Sequence, residues 1–275
     1  MQSTIRSILF ALSLLALSAA ARAETTDCTE MAVLPYFITQ SGVYCLKASQ
    51  QVNGNGVFVV ADDVTIDLNG HAIVGAGTNG IAIINQQTQK NIVVRNGTIR
   101  GFSEGVNLTG SGHSVERMRV EGSASTGIAV NGPGATVRNS VVTGVGSPSC
   151  CSTGIFVFGY GARILDNEIL ETGLNTKGEA NAIKIGEANG ALVAGNIIAN
   201  SQPDLNGGYP AGIQVGPINN FSMKVRVFGN HITNMGTGVF VTTTSQAALL
   251  KDNIVSGTVT PFFGGVQVGT TNIVF

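Results

Sequence analysis

Nine times along the chain a small residue is followed by an aliphatic residue, a variable position and a second aliphatic. The units are Gly56-Val57-Phe58-Val59, Gly80-Ile81-Ala82-Ile83, Gly105-Val106-Asn107-Leu108, Gly127-Ile128-Ala129-Val130, Gly154-Ile155-Phe156-Val157, Ala182-Ile183-Lys184-Ile185, Gly212-Ile213-Gln214-Val215, Gly238-Val239-Phe240-Val241 and Gly265-Val266-Gln267-Val268. They begin 24, 25, 22, 27, 28, 30, 26 and 27 residues apart. Apolar positions on either side of a variable one have the period of a half-buried strand. Between the units Asn139, Asn167, Asn196, Asn230 and Asn253 each close one apolar run and open the next, as in Arg163-Ile164-Leu165-Asp166-Asn167-Glu168-Ile169. Each period therefore predicts two or three short strands separated by Gly and Asn turns, and no stretch carries a helical period.

Short strands at this spacing fit few architectures. A propeller blade needs about 40 residues, and a sandwich does not repeat one strand at a fixed interval. One turn of a stacked solenoid does fit, so the predicted fold is all-β: a single-stranded right-handed parallel β-helix of about nine coils over 56–275. Its hand follows from the rule for crossovers between parallel strands. Coils about 4.8 Å apart align equivalent residues into ladders, with the two aliphatics of each unit facing inward. The recurring Asn is expected in a tight turn, bonded through its amide to the Asn of the next coil.

The ends and the composition complete the outline. Arg6, an apolar run from Ile8 to Ala20 and then Ala21-Arg22-Ala23 have the layout of a cleaved signal peptide over 1–23, which predicts a secreted or periplasmic product with no membrane association after cleavage. Residues 24–55 are expected to cap the first coil, and the chain reaches Phe275 with no evident cap, so a second subunit could cover that open end. With 15 basic and 16 acidic residues and no basic run, nothing favours nucleic acid as a partner. Cys28 and Cys45 flank the cap segment, and a bridge between them is the favoured pairing, stabilising by roughly 3 kcal/mol. The adjacent Cys150 and Cys151 leave a vicinal bridge, free thiols and an intermolecular bond open.

The stretches Asp62-Asp63-Val64-Thr65-Ile66-Asp67-Leu68-Asn69-Gly70-His71-Ala72-Ile73 and Asn91-Ile92-Val93-Val94-Arg95-Asn96-Gly97-Thr98-Ile99-Arg100-Gly101-Phe102 resemble the opening coils of bacterial proteins of the right-handed β-helix repeat superfamily. That superfamily is similar to pectate lyase in fold and includes polysaccharide lyases, glycoside hydrolases and uronan epimerases. The resemblance implies that a sugar polymer would lie along the sheet of glycine-led strands, between the loops that enter it.

On that sheet the expected outward row is Phe58, Ala82, Asn107, Ala129, Phe156, Lys184, Gln214, Phe240 and Gln267. Longer loops precede three consecutive central strands, and clustered insertions are where a solenoid places its binding site. They would wall a cleft over the fourth to seventh coils, with Phe156, Lys177, Glu179, Tyr209 and Gln214 as substrate-binding candidates. Lys184, Glu187 and Asp204 are the candidates for catalysis, because a lyase-like step needs a cation beside carboxylates, or a bound Ca²⁺, to neutralise a uronate. No cofactor or metal-ligand set is otherwise identified: His71, His113 and His231 fall at unrelated phases. There is no Asp-Pro-His tripeptide like that of uronan epimerases, and no paired aspartates followed by Gly-His-Gly like those of polygalacturonases. Asp166, Glu168 and Arg163 are expected to form a surface ion pair. Two functions follow: a carbohydrate-interacting protein with lyase-like or hydrolase-like chemistry, or a non-catalytic structural, adhesive or protein-binding solenoid.

Overall fold

The computed structural model describes residues 24–77, 79–85, 87–147, 151–173, 178–202, 210–216, 224–242, 248–267 and 269–275. The signal-peptide segment 1–23 lies outside the described residues, as does Cys150. All described secondary structure is β, and every pairing between strands is parallel. The chain winds through three faces per coil. Face 1 stacks Tyr36–Ile38, Val57–Val59, Ile81–Asn85, Glu104–Ser111, Thr126–Asn131, Ser152–Phe158, Ala180–Gly186, Ala211–Gly216, Thr237–Val241 and Thr260–Phe263. Face 2 runs from Thr29–Glu30, paired with Gly42–Cys45, to Val266–Gln267, and face 3 from Gln50–Val52 to Ile273–Val274. The long strands Val93–Arg100 and Ser114–Glu121 cross from face 2 to face 3 without a break, which joins both faces into one sheet.

Ten coils stack among the described residues, one more than the repeat marks. The extra one lies inside the N-terminal segment, where Tyr36, Phe37 and Ile38 pair with Val57, Phe58 and Val59. Its strands carry no glycine-led signature, and the predicted disulfide Cys28–Cys45 anchors it. Two units are also displaced from their expected phase. Phe58 pairs with Ile84, so Ala82 stands level with the lead glycines; it is fully buried, and Ile84 takes the outward place expected for Ala82. At the other end Phe240 pairs with Phe263, whereas Gln267 lies on face 2 beside Leu250. The outward row is therefore Phe37, Phe58, Ile84, Asn107, Ala129, Phe156, Lys184, Gln214, Phe240 and Phe263.

The lead glycines are required by proximity. A Cβ on Gly105, Gly127, Gly154 or Gly212 would come within 2.5–2.7 Å of the next coil's carbonyl oxygen and of a face 3 methyl, from Val120, Val142, Ile169 and Ile232 respectively. Both contacts are far inside van der Waals distance. The core they seal is one continuous aliphatic column, with Ile66, Val94, Val115, Val137, Ile164, Val193, Val227 and Leu250 fully buried along face 2.

The corner between faces 2 and 3 carries the asparagine stack. Asn196 Oδ1 accepts from the backbone N–H and the side-chain amide of Asn167, both at 3.0 Å, and Asn167 Nδ2 donates to Val137 O. The same pattern continues from Asn196 to Asn230, to Asn253 and to Asn272. Asn139 stands one position outside this stack, in a left-handed turn at φ 51°, and Ser140 occupies the rung beneath Asn167. The expected ion pair is also missing: Arg163 bridges neither Asp166 nor Glu168.

Candidate functional site

A cleft of about 340 Å³ opens on face 1 across three neighbouring coils, lined by Glu179, Asn181, Ala211, Gln214, Thr237 and Phe240. Each residue is placed by the stacking register. Lys184, Gln214 and Phe240 occupy successive rungs of the outward row, while Asn181, Ala211 and Thr237 form a second row just before the lead small residue of each unit. Glu179 immediately precedes the strand Ala180–Gly186.

Glu179 organises one wall. Its Oε1 accepts from Lys184 Nζ at 2.8 Å and from Asn181 Nδ2 at 3.0 Å. Burial pushes its carboxyl pKa up, but the bonds from Lys184 and Asn181, the Lys184 charge and a bond from Gln214 outweigh that and hold it below the ordinary value. Glu179 is thus an ionised acceptor at neutral pH, not a proton donor, and Lys184 is engaged in neutralising it. Opposite lies an aromatic wall, Phe240, which stacks on Phe263 with ring centres 5.0 Å apart. Gln214 Oε1 is buried with no hydrogen-bond partner among the described residues, so the amide keeps an unused acceptor beside the cleft.

Of the residues singled out from sequence, the structure brings Glu179 and Gln214 into the cleft and attaches Lys184 through its ion pair. Phe156 sits one rung below Lys184, off the lining. Glu187 follows the end of the same strand in a left-handed turn at φ 45°, with no ion pair to a described residue. Lys177, Asp204 and Tyr209 lie outside the described residues. The alternation used to find the outward row skipped Asn181 and Thr237 because two successive residues of each unit, the lead residue and the one after it, both face the core. Phe240 was visible in that row, but loop length pointed to the coils before it. Among the described residues no cluster of three or more His, Cys, Asp or Glu is placed to hold a metal ion. No described helix is long and apolar enough to cross a membrane.

Residues 104–274 match the family described as "Right handed beta helix region". No curated protein matches the chain. Among solved structures, it is similar to the tailspike protein of E. coli bacteriophage HK620 in complex with pentasaccharide, at 13% identity and a TM-score of 0.43, covering 86% of this chain and 54% of that one. A double mutant of that tailspike, also in complex with pentasaccharide, superposes with a TM-score of 0.48 at 12% identity, covering 86% of this chain and 60% of the tailspike. The chain thus spans a little over half the length of these structures.

Proposed function

The chain belongs to the right-handed β-helix family, and on that premise we propose that it is an exported glycan-binding protein whose ligand lies in the face 1 cleft. The observation that carries this reading is the pairing of an aromatic face, Phe240, with the polar groups of Glu179, Asn181, Gln214 and Thr237 in one concave site. A sugar ring presents C–H bonds on its faces and hydroxyls on its rim, so an aromatic wall takes the face while amides and a carboxylate take the rim. Because Lys184 already neutralises Glu179, the cleft suits an uncharged stretch of polysaccharide better than a uronate.

Most glycoside hydrolases use two carboxyl groups flanking the bond to be cut. The described part of the cleft supplies Glu179, which is held ionised as an acceptor. Glycan binding is accordingly the function assigned, with cleavage an outcome to be measured.

The test uses protein recovered from the periplasm or culture medium and a panel of neutral and acidic polysaccharides, with Ca²⁺ and with chelator, scored for binding and for new chain ends. Gln214→Ala and Phe240→Ala should each weaken binding by about tenfold or more. Asn107→Ala, on the same face four coils before Gln214, should leave it unchanged. Equal binding by wild type and both cleft variants, or no glycan bound at all, would overturn the assignment in favour of a structural or protein-binding solenoid.

A further inference from the structure

The corner between faces 2 and 3 repeats one backbone device in seven successive coils. Asn96, Arg117, Asn139, Asp166, Gly195, Gly229 and Asp252 stand in register with φ between 51° and 69°. Asn, Asp and Gly tolerate this left-handed conformation; a long side chain does not gain from it. Arg117 is the exception in the series. A residue that breaks a local rule kept by its equivalents points to a use for its side chain.

Its surroundings show what that use is. Nearby arginines are each matched to a carboxylate: Arg95 to Asp67, Arg138 to Glu116, and Arg119 and Arg100 to Glu121. Arg117 is exposed, and its side chain makes no hydrogen bond or ion pair with any described residue. It borders a pocket of about 240 Å³ lined by Gly70, Asn96, Gly97, Thr98, Arg117 and Arg119. Arg117 therefore supplies the unpaired guanidinium of this concave site, beside the Thr98 hydroxyl; Arg119 is held by Glu121 and the Asn96 amide by Asp67, and no described carboxylate lines the pocket itself. Guanidinium matches the geometry of carboxylate, sulfate and phosphate oxygens through paired N–H donors.

We propose that this pocket is a binding site for one oxyanion group, distinct from the face 1 cleft and lying on the other sheet. The group is a sulfate, phosphate or carboxylate, either free or carried on an acidic polysaccharide, and Arg117 is its principal ligand. The turn accepts an unfavourable residue in exchange for that contact.

Thermal unfolding and calorimetric titration of the whole protein test this with sodium sulfate and sodium phosphate against sodium chloride at equal ionic strength, and with dextran sulfate and polygalacturonate against neutral dextran. The wild type should melt higher with the oxyanions than with chloride. If the small anions alone produce the effect, the ligand is a free ion; if only the charged polymers do, it is a group carried on an acidic glycan. Arg117→Asn should melt about 2–4 °C higher than wild type without ligand, since Asn suits the turn, and should lose anion binding by roughly tenfold or more. Arg117→Lys, which keeps the charge and the unfavourable backbone, should retain weakened binding. Indifference of the wild type to every oxyanion, unaltered anion binding in Arg117→Asn, or a lower melting temperature for that variant would each overturn the proposal.

Discussion

Asp67 shows how much a single side chain can organise in a stacked fold. Its side chain is 4% exposed, and it accepts from Thr25 Oγ1 at 2.7 Å, the Asn69 N–H and Arg95 Nε at 2.9 Å, and Asn96 Nδ2 at 3.1 Å. It thereby ties the N-terminal segment to two later coils. Burial pushes its pKa up, but these donors outweigh that and hold it below the ordinary carboxylate value. A depressed folded pKa means that the stabilisation is complete above the unfolded value of about 3.9 and is lost as pH falls through the lower folded one. Asp67→Asn should remove that acid-dependent step, and Asp67→Ala, which strands Arg95 and three other donors, should destabilise by about 3 kcal/mol in urea unfolding. At this scale the sequence was legible where residue type has one meaning. Cys28 and Cys45 paired as their spacing suggests. Gly80 misled because the stack demands a small side chain close to the neighbouring carbonyl, a need that Ala82 meets and that glycine only signals. Nothing in the residues marked Arg117, whose backbone conformation appears only in register with its neighbours.

Among the elements, the asparagine stack is the most interdependent. Each inner rung donates its amide to the next rung and to a carbonyl of the previous coil, as Asn196 does with Asn230 and Ile164 O. Replacing a rung leaves polar groups on both sides unpartnered in a buried site, at a cost of about 1–3 kcal/mol for each group. Asn196→Leu, with neighbours above and below, should therefore destabilise more than Asn272→Leu at the end of the stack; equal losses in denaturant unfolding would show that the rungs act separately. The repeat of Asn was visible in the sequence and so was its role. Its phase at Asn139 was not, because a turn Asn and a stack Asn occur one residue apart and Ser140 carries the rung. The first coil was invisible for a related reason: Tyr36-Phe37-Ile38 stacks against Val57-Phe58-Val59 through aromatic contact, with Phe37 and Phe58 4.5 Å apart, and lacks the glycine that identifies the others.

Over the whole molecule each coil touches mainly its two neighbours, so stability sums over neighbouring interfaces. Among the described residues the strands of the last coil pair on one side, and they are poorly covered: Val266, Ile273 and Val274 are 52%, 44% and 50% exposed. Hydrogen exchange should be slowest at buried central positions such as Val137, Ile164 and Val193 and fastest over Thr260–Phe263 and Ile273–Val274; uniform protection would mean that the column opens as one unit. The architecture was legible because a solenoid writes its period into the sequence. The cleft was only partly so, since it depends on which rungs align across coils of 22–30 residues, and loop length pointed to the coils just before it. The parallel pairing also gives the column a mechanical direction. Its interstrand hydrogen bonds run along the axis, so tension applied to the two ends loads one interface at a time. Stretched that way, the protein would lengthen in discrete steps, each releasing one coil, or roughly 70–100 Å of chain, while the coils still stacked keep their grip.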